Sequence, residues 1–325
     1  MKISIIVPVF NRPAEVRELL ESLSVQTDSD FGVVIVEDGS TVPCKDVCDS
    51  FAGKLDILYL AKPNGGRSKA RNYGMDHADG DYFIIFDSDC IMPPHYVATV
   101  HKCLEEDYVD CFGGPDAAAE GFSAMQKAIS YAMTSVMTTG GIRGATKKRD
   151  KFTPRSFNMG LSRACYRKVG GFRDMISEDI DMSFRIKESG FRTVLLPDAY
   201  VYHKRRVSFG KFFRQVNTFG RGRLVLNKLH PGALKPVHLL PACFVLGNLL
   251  LVVMALVFRS ALWLVPLGVY ILGLFTESLV RNRSIRIALL SIVASYVQLF
   301  GYGLGFLDEL LTHRTMGKGQ EEMFK

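Results

Sequence analysis

The sequence predicts an α/β domain with a mainly parallel sheet, followed by helices apolar enough to enter a membrane. Short apolar runs alternate with stretches of helical periodicity through the first two thirds of the chain, the pattern of strands joined by crossover helices. Polar clusters recur where those runs end, and the ligand crevice of such a sheet lies beyond the carboxyl ends of its strands. From Leu239 onward the text becomes a series of long apolar runs.

Residues 3–9, ISIIVPV, are a compact apolar run, and Val16, Leu19, Leu20 and Leu23 then recur at helical spacing. Asn11 is the expected cap of that helix, with Pro13 in its first turn. A second run, 32–36, ends abruptly in Glu37-Asp38-Gly39-Ser40. A third, 57–60, leads into Lys62-Pro63-Asn64-Gly65-Gly66-Arg67 and a helix over 68–77. The fourth, 82–86, ends in Asp87-Ser88-Asp89. Further strands are expected at 109–114, 157–161, 191–196 and 200–203, with helices over 122–137, 178–188 and 208–229. Gly190 is the expected stop of the helix over 178–188. Residues 140–155, rich in glycine and lysine, read as a loop able to close over a ligand.

The formal charge of +7 suits anionic substrates, anionic lipid or nucleic acid. Nucleic acid is disfavoured, because the basic residues gather near 62–71 and beside the apolar runs, not along an aromatic-studded stripe. The seven cysteines show no metal-ligand spacing and read as reduced thiols of a cytosolic domain. The run over 239–258 carries no charge and is long enough to cross a bilayer; further runs cover 261–275 and 287–307. Positive charge favours the cytosolic side, which places the loop 281–286 and the flank 221–235 together inside. The first two segments then form a tight hairpin, and the third carries the C-terminus outside unless it is re-entrant or lies at the interface. The expected organisation is an α/β domain over 1–225, a basic interfacial linker over 226–238, and a membrane domain of three hydrophobic helices over 239–325.

Each polar cluster suggests chemistry. Asp87 and Asp89 alternate on an extended chain, so both carboxylates can address one site. Adjacent anions repel, and hard oxygen ligands suit Mg²⁺ or Mn²⁺, which also bind substrate phosphates; the alternative is a solvated turn. In the stretch from Asn64 to Asn72, Gly65 and Gly66 free the backbone to approach an oxyanion, and Arg67, Lys69 and Arg71 add cationic donors. Glu37 and Asp38 suit hydrogen bonds to a ribose or a base edge, or an ordinary turn. Ser177 is the expected cap of the helix that Glu178 and Asp179 open. Those carboxylates serve either as partners of the helix dipole or, near a sugar acceptor, as a general base. Asp181 and Arg185, four apart, read as a structural pair.

The ordered set IIVPVFNRP, VEDGS, NGGRSKARN, DSD, FNMGLSR, GGFRD and SEDIDMSFR resembles a family 2 glycosyltransferase of the GT-A fold, over roughly residues 1–225. The likeness is to bacterial enzymes of exopolysaccharide and glycolipid synthesis. It implies that Pro8 and Asn11 line a nucleotide pocket and that Asp38, beside Glu37, contacts the base. Asn64, Gly66, Arg67 and Arg71 would lie along the diphosphate. Asp89, with Asp87, would hold the metal, and His203 matches a position where related enzymes add a metal or phosphate ligand. Asp179 would be the base of an inverting displacement, with Glu178 supporting it. Gln215 stands where processive synthases carry Gln-x-x-Arg-Trp, but Val-Asn-Thr-Phe follows it here, which favours single additions.

The expected activity is therefore metal-dependent transfer of a sugar from a nucleotide-diphosphate donor, with a UDP-sugar expected. The expected acceptor is membrane-associated, polyprenyl-linked or a glycolipid. The catalytic domain is expected on the cytosolic face of the inner (cytoplasmic) membrane, in contact with membrane lipid. The competing readings are a processive polysaccharide synthase and a non-catalytic membrane scaffold that keeps the nucleotide-binding fold.

Overall fold

The computed structural model describes residues 1–117, 123–139, 152–203 and 208–313. Its strands are β1 (Ile3–Val9), β2 (Phe31–Asp38), β3 (Ile57–Lys62), β4 (Tyr82–Phe86), β5 (Cys90–Ile91), β6 (Cys111–Gly113), β7 (Asp116–Ala117), β8 (Asn158–Ser162), β9 (Thr193–Leu195) and β10 (Val201–His203). The helices begin with α1 (Pro13–Ser24), α2 (Lys45–Asp49), α3 (Arg67–His77) and α4 (Tyr96–Glu106). Then come α5 (Ala124–Thr134), α6 (Val136–Thr139), α7 (Arg163–Val169) and α8 (Glu178–Glu188). The last are α9 (Phe209–Leu229), α10 (Leu240–Val257), α11 (Val265–Asn282) and α12 (Ile285–Thr312).

By internal contacts the chain divides into two compact units, Met1–Ala119 with Thr146–Lys204, and Glu120–Ala145 with Arg205–Lys325. The first holds a seven-stranded sheet of order β3-β2-β1-β4-β8-β6-β9 and a small sheet of order β5-β10-β7. In the large sheet only β8 runs against its neighbours, pairing antiparallel with both β4 and β6. The alternation of strands and helices thus gives the mainly parallel sheet it predicts.

Period-two alternation decides which residue faces which layer. On β1, Ile3, Ile5, Val7 and Val9 join one core with Leu19 and Leu20 of α1 and Val100 of α4. Ile6 points the other way, into a second core with Ala70 and Met75 of α3, Cys165 of α7 and Met182 of α8. Helices α2 and α7 are too short to show periodicity. In α4 the signal is present, since Tyr96, Val100 and Leu104 recur at intervals of four and are buried.

Two expected caps are built differently. Arg12, not Asn11, stands at the N-cap of α1, without a side-chain bond, and Pro13 opens the helix. Ser177 precedes α8 in the left-handed region (φ 62°) and makes no side-chain cap bond. At the other end, Gly190 (φ 82°) ends α8 as expected, its N–H bonding the Lys187 carbonyl at 3.0 Å. The helix expected over 122–137 breaks at Ser135, and Ser123 with Gln126 forms a capping box at its start.

The second unit gathers α5, α6 and α9–α12. Helix α9 belongs here and not to a domain ending at 225, because its buried side packs on α12: Asn217 Nδ2 donates to the Gly301 carbonyl at 3.1 Å. Helix α5 joins the unit through Tyr131, whose hydroxyl donates to Glu277 Oε2 of α11 at 2.9 Å. Leu240–Val257, Ala261–Asn282 and Ile285–Thr312 are each long and apolar enough to cross a membrane. The dominant packing is not a hairpin of α10 with α11; both lie against α12.

Candidate active site

Strands β3, β2, β1 and β4 are neighbours and parallel, so their carboxyl ends share one edge of the sheet. Pro8 lies within β1, in register with Val36 of β2. Asn11 follows β1 with φ 54°, and its Oδ1 accepts bonds from Thr41 N at 2.8 Å, Thr41 Oγ1 at 3.1 Å and Val42 N at 3.0 Å. Its own N–H donates to Ser40 Oγ at 2.7 Å. Asn11 thus ties the end of β1 to the turn after β2.

Glu37 and Asp38 are buried within β2. Glu37 accepts from the Ser40 hydroxyl, from Cys44 N at 2.7 Å and from Tyr59 Oη at 3.3 Å. Burial, then the Glu37 charge, raises the Tyr59 pKa. Asp38 accepts from Gly65 N at 2.9 Å and Gly66 N at 2.8 Å, and pairs with Lys62. Asn64 Nδ2 donates to the Asp38 carbonyl at 2.8 Å. Asp38 therefore braces the glycine turn, which brings Gly66 to φ 87°, a conformation glycine adopts without a Cβ penalty, while Glu37 braces the turn after its own strand.

Helix α3 starts from that turn and carries the central cation. Arg71 is buried; its Nη1 donates to Glu178 Oε1 at 2.9 Å and its Nη2 to Asp87 Oδ1 at 2.8 Å. Its guanidinium lies 5.3 Å from the centroid of the Phe172 ring. Burial opposes the charge, but Asp87 and Glu178 together raise the Arg71 pKa above its ordinary value. Arg67, one turn earlier and exposed, bonds the other Glu178 oxygen at 2.8 Å. Asn72 and Phe172 exchange bonds, Asn72 Nδ2 to the Phe172 carbonyl at 2.9 Å and Phe172 N to Asn72 Oδ1 at 2.8 Å. That exchange fastens the Gly-Gly-Phe turn before α8 to α3.

Asp87 and Asp89 follow β4 and face different cations. Asp87 is held by Arg71, and its side chain is 36% exposed. Asp89 Oδ2 lies 3.8 Å from Arg12 Nη1, and its side chain is 14% exposed. His203 is brought to the same place by register, since β10 pairs antiparallel with β5 and sets His203 opposite Cys90, next in sequence to Asp89. Lys204, Arg205 and Arg206, and most of the expected loop over 140–155, lie outside the described residues.

Neighbouring carboxylates at the start of α8 have different surroundings. Glu178 is buried, and both its oxygens are taken by arginines. Asp179 Oδ1 accepts from Ile180 N at 2.9 Å, while its Oδ2 lies 3.6 Å from Arg155 Nη1. The segment bearing Arg155 is pinned to α8: Ser183 Oγ donates to the Pro154 carbonyl at 3.1 Å and Lys187 Nζ to the Phe152 carbonyl at 2.6 Å. Asp181, fully buried, pairs with Arg185 at 2.8 Å, as its spacing predicts, and also with Arg173 at 3.0 Å.

Contacts therefore link Arg67, Arg71, Asp87 and Glu178 directly, and Asp38 with Gly66 joins them through the turn that opens α3. Asn11 and Glu37 brace adjacent strand ends. Sequence reasoning missed Arg155, which stands in a stretch read as loop, and Arg12, hidden between the expected cap and Pro13. For neither does the sequence carry a pairing signal.

Residues 4–170 match the family described as Glycosyl transferase family 2. Succinoglycan biosynthesis protein ExoA of Rhizobium meliloti is 26% identical over 95% of this chain and 95% of its own. Glycosyltransferase GlyA of Streptococcus pneumoniae is 38% identical over 34% of this chain, and the match spans 16% of that protein's length. Among solved structures, a mannosyltransferase from Pyrobaculum calidifontis, in complex with GDP-Man and Mn²⁺, superposes with a TM-score of 0.66 at 17% identity, covering 94% of this chain and 87% of its own. Residues 1–349 of S. aureus TarS give a TM-score of 0.52 at 19% identity, covering 95% and 91%. The fold shared with these structures is the expected GT-A fold.

Proposed function

The chain belongs to glycosyl transferase family 2, and from that premise we propose that it transfers a sugar, with inversion, from a nucleotide-diphosphate donor to a membrane-associated acceptor in a metal-dependent reaction. The observation that carries this reading is the buried Arg71, which ties the Asp87 end of β4 to the Glu178 start of α8. One side chain thereby sets the distance between the candidate metal ligands and the candidate base.

Two carboxylates near one strand end would supply hard oxygen donors suited to Mn²⁺ or Mg²⁺, and His203, set beside them by backbone register, would add a nitrogen. Asp87, Asp89 and His203 would hold the ion, which when bound offsets charge developing on the departing diphosphate. Arg67, exposed and anchored by Glu178, would meet the same diphosphate from the start of α3, where the helix N-terminus favours anions. Asp179 would accept the proton of the acceptor hydroxyl as its oxygen bonds the anomeric carbon and the bond to the diphosphate breaks. Glu178, with both oxygens occupied, is a positioning residue. Pro8 and Asn11 border the expected nucleotide side, and Glu37 and Asp38 shape it through the turns they hold.

The apolar helices and the full-length likeness to a succinoglycan biosynthesis protein support an acceptor carried by the membrane, a polyprenyl-linked saccharide or another glycolipid. They equally support a location at the cytoplasmic membrane with the catalytic unit cytosolic. A panel of nucleotide sugars, UDP-sugars first, offered with membrane lipid extract tests the reading. Nucleotide release and labelled lipid that both require added Mn²⁺ or Mg²⁺ support it. Turnover that survives chelation, or release without labelled lipid, goes against it.

A further inference from the structure

The third apolar helix, α12, starts among basic residues, and its other end lies beside the basic helix α9. Arg281, Arg283 and Arg286 surround its start and are exposed. Near its other end, Arg221 of α9 pairs with Asp308 at 2.6 Å. Positions 286 and 308 are separated by about 33 Å along a helix rising 1.5 Å per residue, about the thickness of a bilayer's hydrocarbon core. A crossing α12 would put these two clusters on opposite faces of the membrane, against the preference of basic residues for one side.

The packing of α12 points the same way. Helix α9, which carries Lys211, Arg214, Arg221, Arg223 and Lys228, runs parallel to the C-terminal part of α12: Asn217 bonds Gly301 and Arg221 follows with Asp308. At Gly220 and Gly305 the two backbones come so close that a Cβ would collide with the facing helix. Helix α5 covers α12 further towards its start, and α10 and α11 take other sides. Half of the apolar window of α12 is buried in protein, against 17% for α10 and 11% for the segment over 261–282. Helix α12 is therefore a ridge between a polar, basic layer and an apolar one.

We propose that α12 does not cross the bilayer but lies along its cytosolic boundary, so that both its ends, and both basic clusters, meet the same anionic lipid surface. The proposal rests on the membrane reading above and adds which segment stays on one side. It reconciles the charge bias with a geometry that separates the two basic clusters along one helix.

The test uses the full chain carrying Cys103→Ala and Cys243→Ala, which removes the two thiols that are not buried, with one cysteine introduced as Ile285→Cys or Leu311→Cys and the parent variant as the labelling baseline. Both positions are exposed, 64% and 80%, so neither change opens the packed side of α12. A membrane-impermeant maleimide is applied to sealed spheroplasts and to inverted membrane vesicles. The expected result is no labelling of either site in spheroplasts and labelling of both in vesicles. Labelling of one site from each side would overturn the proposal. Release of the chain by alkaline carbonate would overturn it too, together with the membrane reading; in the other outcomes the membrane reading stands. C-terminal fusions give an independent readout: green fluorescence with an inactive alkaline phosphatase supports the proposal, and the reverse contradicts it.

Discussion

Arg71 and Glu178, 107 residues apart in sequence, meet at 2.9 Å with almost no exposure of either side chain. The second nitrogen of the same guanidinium holds Asp87. Removing the cation leaves the buried Glu178 with only the exposed Arg67 and leaves Asp87 without its arginine; breaking a buried pair in this way typically costs about 3–5 kcal/mol. Arg71→Ala should therefore lower the thermal midpoint sharply and abolish transfer. Arg71→Lys keeps the charge but not the planar fork, and should recover stability better than activity. Denaturation and transfer measured on both variants check this; equal recovery of both by lysine would contradict it.

The metal assignment separates Asp89 from its neighbours. Asp89→Asn should weaken Mn²⁺ binding, read by electron paramagnetic resonance, while the fold melts as in the wild type. Arg12 lies 3.8 Å away and competes with a cation for the same carboxylate, so Arg12→Ala should not weaken Mn²⁺ binding and is expected to tighten it. Unchanged Mn²⁺ affinity in Asp89→Asn would remove that residue from the donor set.

Asn72 and Gly171 test how the turn before α8 is held. A Cβ at Gly171 would collide with the Asn72 side chain, which exchanges bonds with Phe172. Asn72→Ala should cost about 1–3 kcal/mol through the two lost half-buried bonds, and Gly171→Ala should destabilise by overpacking. Because the collision disappears when both are changed, the double variant should lose less than the sum. Strict additivity in denaturant unfolding would contradict this packing.

Much of the catalytic unit was legible because strand ends, glycine turns and acidic pairs leave short-range marks in sequence. The pairing of Asp181 with Arg185 followed from four-residue spacing alone. What periodicity cannot show is a partner far along the chain. Nothing local to Glu178 reveals that Arg67 and Arg71 occupy its oxygens, so its support of Asp179 was expected without the arginines through which it acts. Likewise Asn11 has the residue type of a helix cap but spends its oxygen on Thr41 and Val42, while Glu37 is consumed by the turn after its own strand and Asp38 by the glycine turn after β3. The grouping of α5 and α9 with the apolar helices was invisible for a different reason. Amphipathic helices declare a buried face without declaring what covers it.

His238 supplies a pH dependence outside the apolar spans. It is buried, and its Nδ1 accepts the Lys235 N–H at 3.1 Å. Burial, then the charges of Arg223 and Lys235, push its pKa down to about 4. An unfolded histidine titrates near about 6.5, so the unfolded chain binds the proton first. The stability contributed by neutral His238 is thus present above that value and is lost as pH falls towards 4. His238→Gln should flatten stability against pH across that window; an unchanged slope would place the dependence elsewhere.

The most direct measurement compares Asp179→Asn with Glu178→Gln, two neighbours given different roles. Donor binding is followed by calorimetry and labelled-sugar transfer to lipid is followed in parallel. Asp179→Asn is expected to bind donor nearly as the wild type does while transfer falls by about 10²–10⁴-fold, the usual worth of a general base. Glu178→Gln is expected to weaken binding itself, because Arg67 and Arg71 lose their anchor. Donor binding lost along with transfer in Asp179→Asn, or transfer retained by it, would contradict the assignment of the base.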